Sequence, residues 1–489
     1  MKKIKVRIKR LKTAELMVTR DPLMELPDGI LSKIISLLPL REAIRTSILS
    51  KSCKSIWTCH SHLKFDSLNV LGSSTACINK SSRLKYVQRV DELMNQRRKG
   101  LKMNSFTVHF HLGNEFSSHI DDWISCAVMK EVESIDLDLS VCCSRRNCVC
   151  SSKHEHYKFD CGGLLAATGR KSNLKFLKLD SCIFSAPLSS NCLNSLITLE
   201  LRRVSISDEM LNNLLSNCLH LETLSLLCCQ DLVNLNFDGS SLRLKFLRIQ
   251  DCLRLNEIEI SSENVRRLEY SGPIVSFSFK HVPNLVEAFL CFTQKDRLSG
   301  VTYALTRLAS ELPQLEKLNL LSFLSMNVLK LPDIGPAFTN VKELILSIYP
   351  FHDEDRLSWI AYILRTFPWL QKLQLNLFSP SFIKPPEEIV LNKRNDKKRR
   401  LLPECPHKHL SELEMNGFYG EKHEVELLKY LLENSVALKA LTVNPCQKVF
   451  RGFNNWVCEK ESSLDMLTRK TVSKLLRRVV PTTVRLQFV

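Results

Sequence analysis

Along most of the chain, apolar residues recur in one short frame: an apolar position followed three and five residues later by two more. It reads "VESIDL" at 132–137, "LKFLKL" at 174–179, "LITLEL" at 196–201, "LETLSL" at 221–226 and "LKFLRI" at 244–249. It continues as "VRRLEY" (265–270), "LVEAFL" (285–290), "LEKLNL" (315–320), "VKELIL" (341–346), "LQKLQL" (370–375), "LSELEM" (410–415) and "LKALTV" (438–443). From Leu174 to Leu285 successive frames start 22, 25, 23, 21 and 20 residues apart, and the later spacings are 30, 26, 29, 40 and 28. The first gap, 42 residues from Val132 to Leu174, is long enough to predict about two units.

The last two apolar positions of a frame are two apart, so they share one side of a short strand while the residue between them faces away. One unit cannot bury that edge alone. Stacked units bury it in a continuous core under a parallel sheet. Between frames lie helical patterns such as "SDEMLNNLLSNC" (207–218), where Met210, Leu211, Leu214 and Leu215 fall on one face and Ser207 or Asp208 can cap the start. Strand then helix every 20–30 residues predicts an α/β fold, a curved leucine-rich-repeat solenoid whose parallel sheet carries helices on its outer side. Cys182, Cys229 and Cys252 each follow the last frame position by three residues, a slot where a small buried side chain finishes the turn.

Ahead of the repeats stands a dense apolar stretch, "LPDGILSKIISLLPLREAIRTSILSKSCKSIW" (26–57). Pro27 suits the first turn of a helix, because its missing N–H needs no partner there. Ile30, Ile34 and Leu37/Leu38 then share a face, with Leu31 and Ile35 beside it, and Pro39 ends the helix. A second helix starts near Leu40 or Arg41 and aligns Ile44 with Ile48, and a third holds Cys53, Ile56 and Trp57. Three helices this short carry more apolar surface than their own core can use. The surplus predicts either a partner surface or a cap on the end of the solenoid.

Charge adds two features. The net charge of +18 is concentrated: residues 1–20 hold eight Lys/Arg against one acid, and "NKRNDKKRR" (392–400) holds six against one. Two short basic runs read as a solvated tail and loop, or as nuclear import signals, rather than as a nucleic-acid groove, so nucleic-acid binding is disfavoured. No stretch of eighteen uninterrupted apolar residues occurs, and no membrane span is expected. Nineteen cysteines without a secretory leader are expected to be free thiols in a reducing compartment, and a nuclear and/or cytoplasmic location follows. One cluster escapes the frame: Cys142, Cys143, Cys148, Cys150, His154, His156 and Cys161. It reads as an insertion loop, with zinc binding or redox sensing as alternatives, since it lacks a paired CxxC arrangement. His109, His111 and His281 stand without an evident nucleophile or carboxylate, so no catalytic residue, metal or cofactor is expected.

These residues carry a specific resemblance. "LPDGIL", "IISLLPLREAIRTSILSKSCKSIW" and "HLKFDS" together resemble an F-box, and the whole order resembles plant F-box/leucine-rich-repeat proteins. The region "CPHKHLSELEMNGFYGEKHEVELLKYLLENSVALKALTV" (405–443), with Arg477, Arg478 and the closing "TVRLQFV", resembles the FBD region of that group. Cys53 stands where the family usually carries a tryptophan. The implied organisation is a basic tail (1–20), an F-box (21–68), a solenoid (69–402) with its basic loop, and an FBD-like region (403–489) that continues the solenoid. The resemblance implies binding of a Skp-type adaptor, and through it cullin and RING subunits, by Leu26, Pro27, Ile30, Leu31, Ile34, Leu38, Leu40, Ile44, Leu49 and Trp57. It also implies an unknown substrate protein held by the repeats, and a non-catalytic role in protein ubiquitination. A ligase-independent interaction scaffold is the alternative.

Overall fold

The computed structural model describes residues 26–46, 57–73, 79–97, 102–140, 156–160, 162, 173–185, 193–238, 243–293, 303–322, 337–348, 356–377, 406–452, 455–458 and 466–489. Its frame is one fifteen-stranded sheet, parallel throughout and ordered along the chain. All twelve sequence frames supply a strand, and the two alternating apolar residues of each are buried, from Ile135 and Leu137 to Leu441 and Val443. Three further strands complete the sheet: His62–Asp66 and Ser105–His109 at the start, Arg485–Phe488 at the end.

The outer side is less uniform than a strand–helix alternation. Units of 25, 28, 29 and 30 residues return through a helix: Asp208–Asn217, Lys422–Asn434, Arg356–Thr366 and Leu308–Glu311. Units of 20, 21, 22 and 23 residues carry a second strand instead: Ser276–His281, Glu257–Ser261, Cys182–Ser185 and Asn234–Asp238. Three of these outer strands pair in parallel as a small sheet of their own, and Cys182–Ser185 pairs with Tyr157–Asp160. Length explains the choice. Retracing a five-residue strand of roughly 16 Å takes about five extended residues but about eleven helical ones. Short units have no residues left for a helix. The 42-residue gap holds one unit rather than the two its length suggested, because strand Ser134–Asp138 pairs directly with Phe176–Asp180.

Four corners share a device. Ser181, Arg203, Cys228 and Asp251, each next after a strand, adopt the left-handed conformation at φ of 51–60°. Each amide donates to a carbonyl at the end of the following strand, that of Arg202, Leu227, Gln250 and the penultimate Ser271 in turn, at 2.6–3.0 Å. After each corner residue a small apolar side chain enters the core: Cys182, Val204, Cys229 and Cys252. The thiols of Cys229 and Cys252 donate to the carbonyls of Leu201 and Leu226 in the preceding unit. Helix Asp208–Asn217 is capped by Ser207, whose side chain accepts from the Met210 amide.

Cysteine chemistry departs from expectation at one point. Cys446 and Cys458 are joined in a disulfide, whereas Cys126, Cys182, Cys218, Cys228, Cys229, Cys252 and Cys291 are thiols outside any disulfide. The basic runs at 1–20 and 392–400, and Cys53, Cys142, Cys143, Cys148, Cys150, His154 and Cys161, lie outside the described residues. No helix among the described residues is long and apolar enough to cross a membrane.

Candidate functional site

Two surfaces stand out. The first is the short-helix region before the sheet. Helix Asp28–Ser36 starts just after Pro27, whose carbonyl accepts from the amides of Ile30 and Leu31 at 2.9 and 3.1 Å. Pro39 then opens helix Leu40–Thr46, its carbonyl accepting from Ala43. Leu31 and Ile35 bury one face of the first helix together with Leu40, Ala43 and Trp57. The adjoining row stays open: Ile30 is 51% exposed, Ile34 38% and Leu37 83%. These three fall at i, i+4 and i+7, a continuous apolar stripe beside the exposed Pro27.

The ten residues implied by the resemblance therefore divide. Leu31, Leu40 and Trp57 are buried and Pro27, Ile30 and Ile34 exposed. Leu26, Leu38 and Ile44 are half-buried. Leu49 lies outside the described residues. Leu37 was not among them, although it is the most exposed of the stripe. The signal was its heptad spacing from Ile30, obscured by the neighbouring Leu38, which turns inward against the core.

The second surface is the inner face of the sheet, lined by the residue between the two buried ones of each strand. In register this row runs Lys64, Thr107, Asp136, Lys178, Glu200, Ser225, Arg248, Glu269, then Phe289, Asn319, Ile345, Gln374, Glu414 and Thr442. Its first half is polar and ionic. Asp136 meets His109 at 2.9 Å and Lys178 at 3.4 Å; burial alone would raise its pKa, but these partners hold it below its ordinary value. His109 thus has a carboxylate partner that its sequence context did not reveal, and His281 has one in Glu263 at 3.1 Å. Glu269 is buried between Arg267, at 2.6 Å, and Arg248, at 3.6 Å.

The second half is covered. Phe289, Asn319, Ile345 and Gln374 face inward yet are buried. Against Phe289 and Glu414 of this row lies a hairpin of two three-residue strands, Lys448–Phe450 and Trp456–Cys458. Phe450 stacks on Phe289 with ring centroids 4.0 Å apart, and Trp456 packs on Phe450 at 5.2 Å. Gly452, at φ +92°, lies against the Arg248 guanidinium with no room for a Cβ. At the base, Lys448 reaches Glu414 at 2.5 Å. Burial alone would raise the Glu414 pKa, but its bonds to Lys448 and Asn416 hold it below the ordinary value. A buried polar ladder runs under the base: Asn376 donates to Ser347 and Asn416 to Asn376, and Asn444 accepts from the Cys446 amide, all at 2.8–3.0 Å. Among the described residues no group of three or more His, Cys, Asp or Glu is placed to hold a metal ion.

Comparison with known proteins bears on the family of the chain. A family model described as At1g61320/AtMIF1, LRR domain, matches residues 93–489, and an F-box domain model matches residues 23–64. The chain is 28% identical to the Arabidopsis thaliana Putative F-box/FBD/LRR-repeat protein At4g13965, covering 89% of this chain and 92% of that one. It is 27% identical to the Putative F-box/LRR-repeat protein At5g02930 (77% and 76%) and 24% identical to the F-box/FBD/LRR-repeat protein At3g52680 (88% and 86%), both from Arabidopsis thaliana. A solved Leptospira interrogans LRR protein is 14% identical with a TM-score of 0.27, over 87% of this chain and 95% of its own. The fold therefore stands on the strand register rather than on that likeness. With the repeat model spanning most of its length and the F-box model ahead of it, the chain belongs to the plant F-box/LRR-repeat proteins, with FBD-like features.

Proposed function

We propose that the chain is the substrate-recognition subunit of a Skp–cullin–F-box ubiquitin ligase. The F-box binds a Skp-type adaptor, and the repeats hold a target protein. The observation that carries this reading is the division of helix Asp28–Ser36 into a buried row, Leu31 and Ile35, and an open apolar row, Ile30, Ile34 and Leu37. An open stripe of that kind beside Pro27 is a surface for a partner. Catalysis in such an assembly is proximity: the target is held near thioester chemistry performed by another protein, and this chain supplies no reacting group.

Titration calorimetry of the full chain with purified Skp-type adaptor tests it. Wild type is expected to bind. Ile30→Asp with Ile34→Asp is expected to abolish binding without changing the circular dichroism, since each isoleucine contributes about 1.5–3 kcal/mol when its side chain is covered. Leu31→Ala is expected to destabilise the helices themselves by about 2–5 kcal/mol, the range for deleting a buried leucine. A folded wild type that binds no adaptor would favour the ligase-independent scaffold.

A further inference from the structure

The hairpin at 446–458 is tied most firmly at its base, and its outer edge is exposed. Its base is tied by the Cys446–Cys458 disulfide, by the Gly417 amide donating to the Cys446 carbonyl at 3.0 Å, and by Lys448 on Glu414. Beyond the base its two strands pair only with each other and join neither the main sheet nor the outer one. Phe450 and Trp456 are half-buried, while Arg451, Val457 and Cys458 are exposed. A two-stranded hairpin of this size is marginal in water, so what holds it down is its seat.

That seat is unusual for this inner face. It offers an aromatic ring (Phe289) and an aliphatic side chain (Ile345) in a row that is otherwise polar, with a carboxylate (Glu414) beyond them. The carboxamide oxygen of the buried Asn319, between Phe289 and Ile345 in the row, has no hydrogen-bond partner among the described residues. The sheet would carry a two-pronged recognition site, apolar at Phe289 and anionic at Glu414, with or without the hairpin.

We propose that the hairpin occupies the place of a target segment, and that the partner this surface fits is an extended protein segment bearing a basic residue two positions before an aromatic one, as Lys448 stands to Phe450. This rests on the reading that the repeats hold a target. It adds where the target sits, what chemistry it presents, and that it must displace the chain's own strap.

The test uses the full chain and a fluorescent peptide with the sequence of residues 446–458, its cysteines oxidised. Phe450→Ser with Trp456→Ser loosens the strap, and the peptide is expected to bind this variant at least about tenfold more tightly than wild type, the effect of losing roughly 1.4 kcal/mol of aromatic contact within the chain. Adding Phe289→Ser is expected to remove that binding, as is lysine-to-glutamate exchange within the peptide. A peptide that binds wild type and variant alike, or neither, overturns the proposal. Hydrogen exchange on wild type gives an answer without any variant. The Val449 and Val457 amides are expected to exchange faster than those of strands Lys372–Leu377 and Glu412–Asn416 beneath. Equal protection would make the hairpin a fixed part of the core and sink the idea. Neither measurement involves the adaptor, so failure of adaptor binding and failure of this site are separable.

Discussion

The imidazole Nε2 of His60 lies 2.9 Å from the carbonyl oxygen of Leu38, and its Nδ1 lies 2.8 Å from the carbonyl of His62. One buried ring therefore joins the end of the first F-box helix to the first strand of the sheet. From the other side the buried guanidinium of Arg97, just past helix Lys80–Gln96, donates to the His60 carbonyl. The F-box helices and the solenoid are thereby tied to each other through polar contacts on a few backbone atoms.

His60→Ala is expected to destabilise the full chain by about 1–3 kcal/mol, because it removes the polar tie between the Leu38 and His62 backbone and empties the space of a buried ring. Equilibrium urea unfolding, with the exposure of Trp57 followed by fluorescence, measures it. A midpoint unchanged from wild type would mean that the ring is not the joint.

Much of this architecture was legible in the sequence, for a physical reason. Each unit must bury two side chains two positions apart, and that requirement writes itself into the chain as Leu177/Leu179 or Leu373/Leu375. Leu63/Phe65 keeps only this alternation, whereas Met103, Phe106 and Val108 have the full spacing in a strand that was not among the twelve frames. Unit length also encoded the outer strands, but "strand or helix" depends on how few residues remain after the turns, which no local pattern states. The hairpin was not legible at all. Lys448 and Phe450 find Glu414 and Phe289 in other units, and neither end of either contact is marked by period or spacing. On the F-box, periodicity set Leu31 and Ile35 beside the face of Ile30, Ile34 and Leu37/Leu38 without saying which row is buried; the fold turns Leu31 and Ile35 inward and leaves Ile30, Ile34 and Leu37 open.

Two buried carboxyls give the stability a pH dependence of unusual sign. Burial, and repulsion from Asp138, push Asp180 up to about 6 from 3.8, with Arg203 and Arg202 opposing. Burial pushes Glu424 up to about 7 from 4.5, despite the amides of Tyr419, Gly420 and Glu421 donating to it. A carboxyl raised in the folded state binds its proton more tightly there. Its contribution is therefore complete below the unfolded pKa and is lost as pH rises through the folded one. For Asp180 the loss falls between about pH 4 and 6 and amounts to about 3 kcal/mol at most, at 1.36 kcal/mol per pH unit. Asp180→Asn should flatten the stability profile in that window relative to wild type, and Glu424→Gln should do so between about pH 4.5 and 7. Urea midpoints from pH 4 to 8 decide it; variant curves parallel to wild type would refute the assignment.

Gly417 is required where it stands. It adopts φ +73°, and a Cβ there would run into the backbone carbonyl oxygen of Leu377 on the neighbouring strand. Gly417→Ala combines the left-handed cost of about 1–2 kcal/mol with a clash against backbone that cannot rotate away. Because the same residue's amide holds the Cys446 carbonyl, the hairpin base should loosen with it. The expected outcome is a loss of at least about 2 kcal/mol in urea unfolding, with faster exchange of the Gly417 amide. An unaffected variant would show that the strand turn can open without cost.

The cysteine stack gives a chemical readout of the repeats. Cys182, Cys229 and Cys252 occupy the same post-corner slot, fully buried, each thiol donating to a backbone carbonyl. Burial, with Asp180 and Asp138 nearby, raises the Cys182 thiol far above its ordinary range, and the thiolate is the reactive form. Burial shields all three from iodoacetamide in the native chain, so they are expected to resist it, while the half-buried Cys126 is modified before them. Cys446 and Cys458 should stay unmodified for a different reason, and become reactive on adding reductant without any unfolding of the sheet. Peptide mapping by mass spectrometry separates the two classes: urea without reductant should release Cys182, Cys229 and Cys252 together, and reductant without urea should release only the hairpin pair. Stepwise release of the three core thiols at different urea concentrations would mean that neighbouring units open independently, and that the stack does not hold them as one cooperative block.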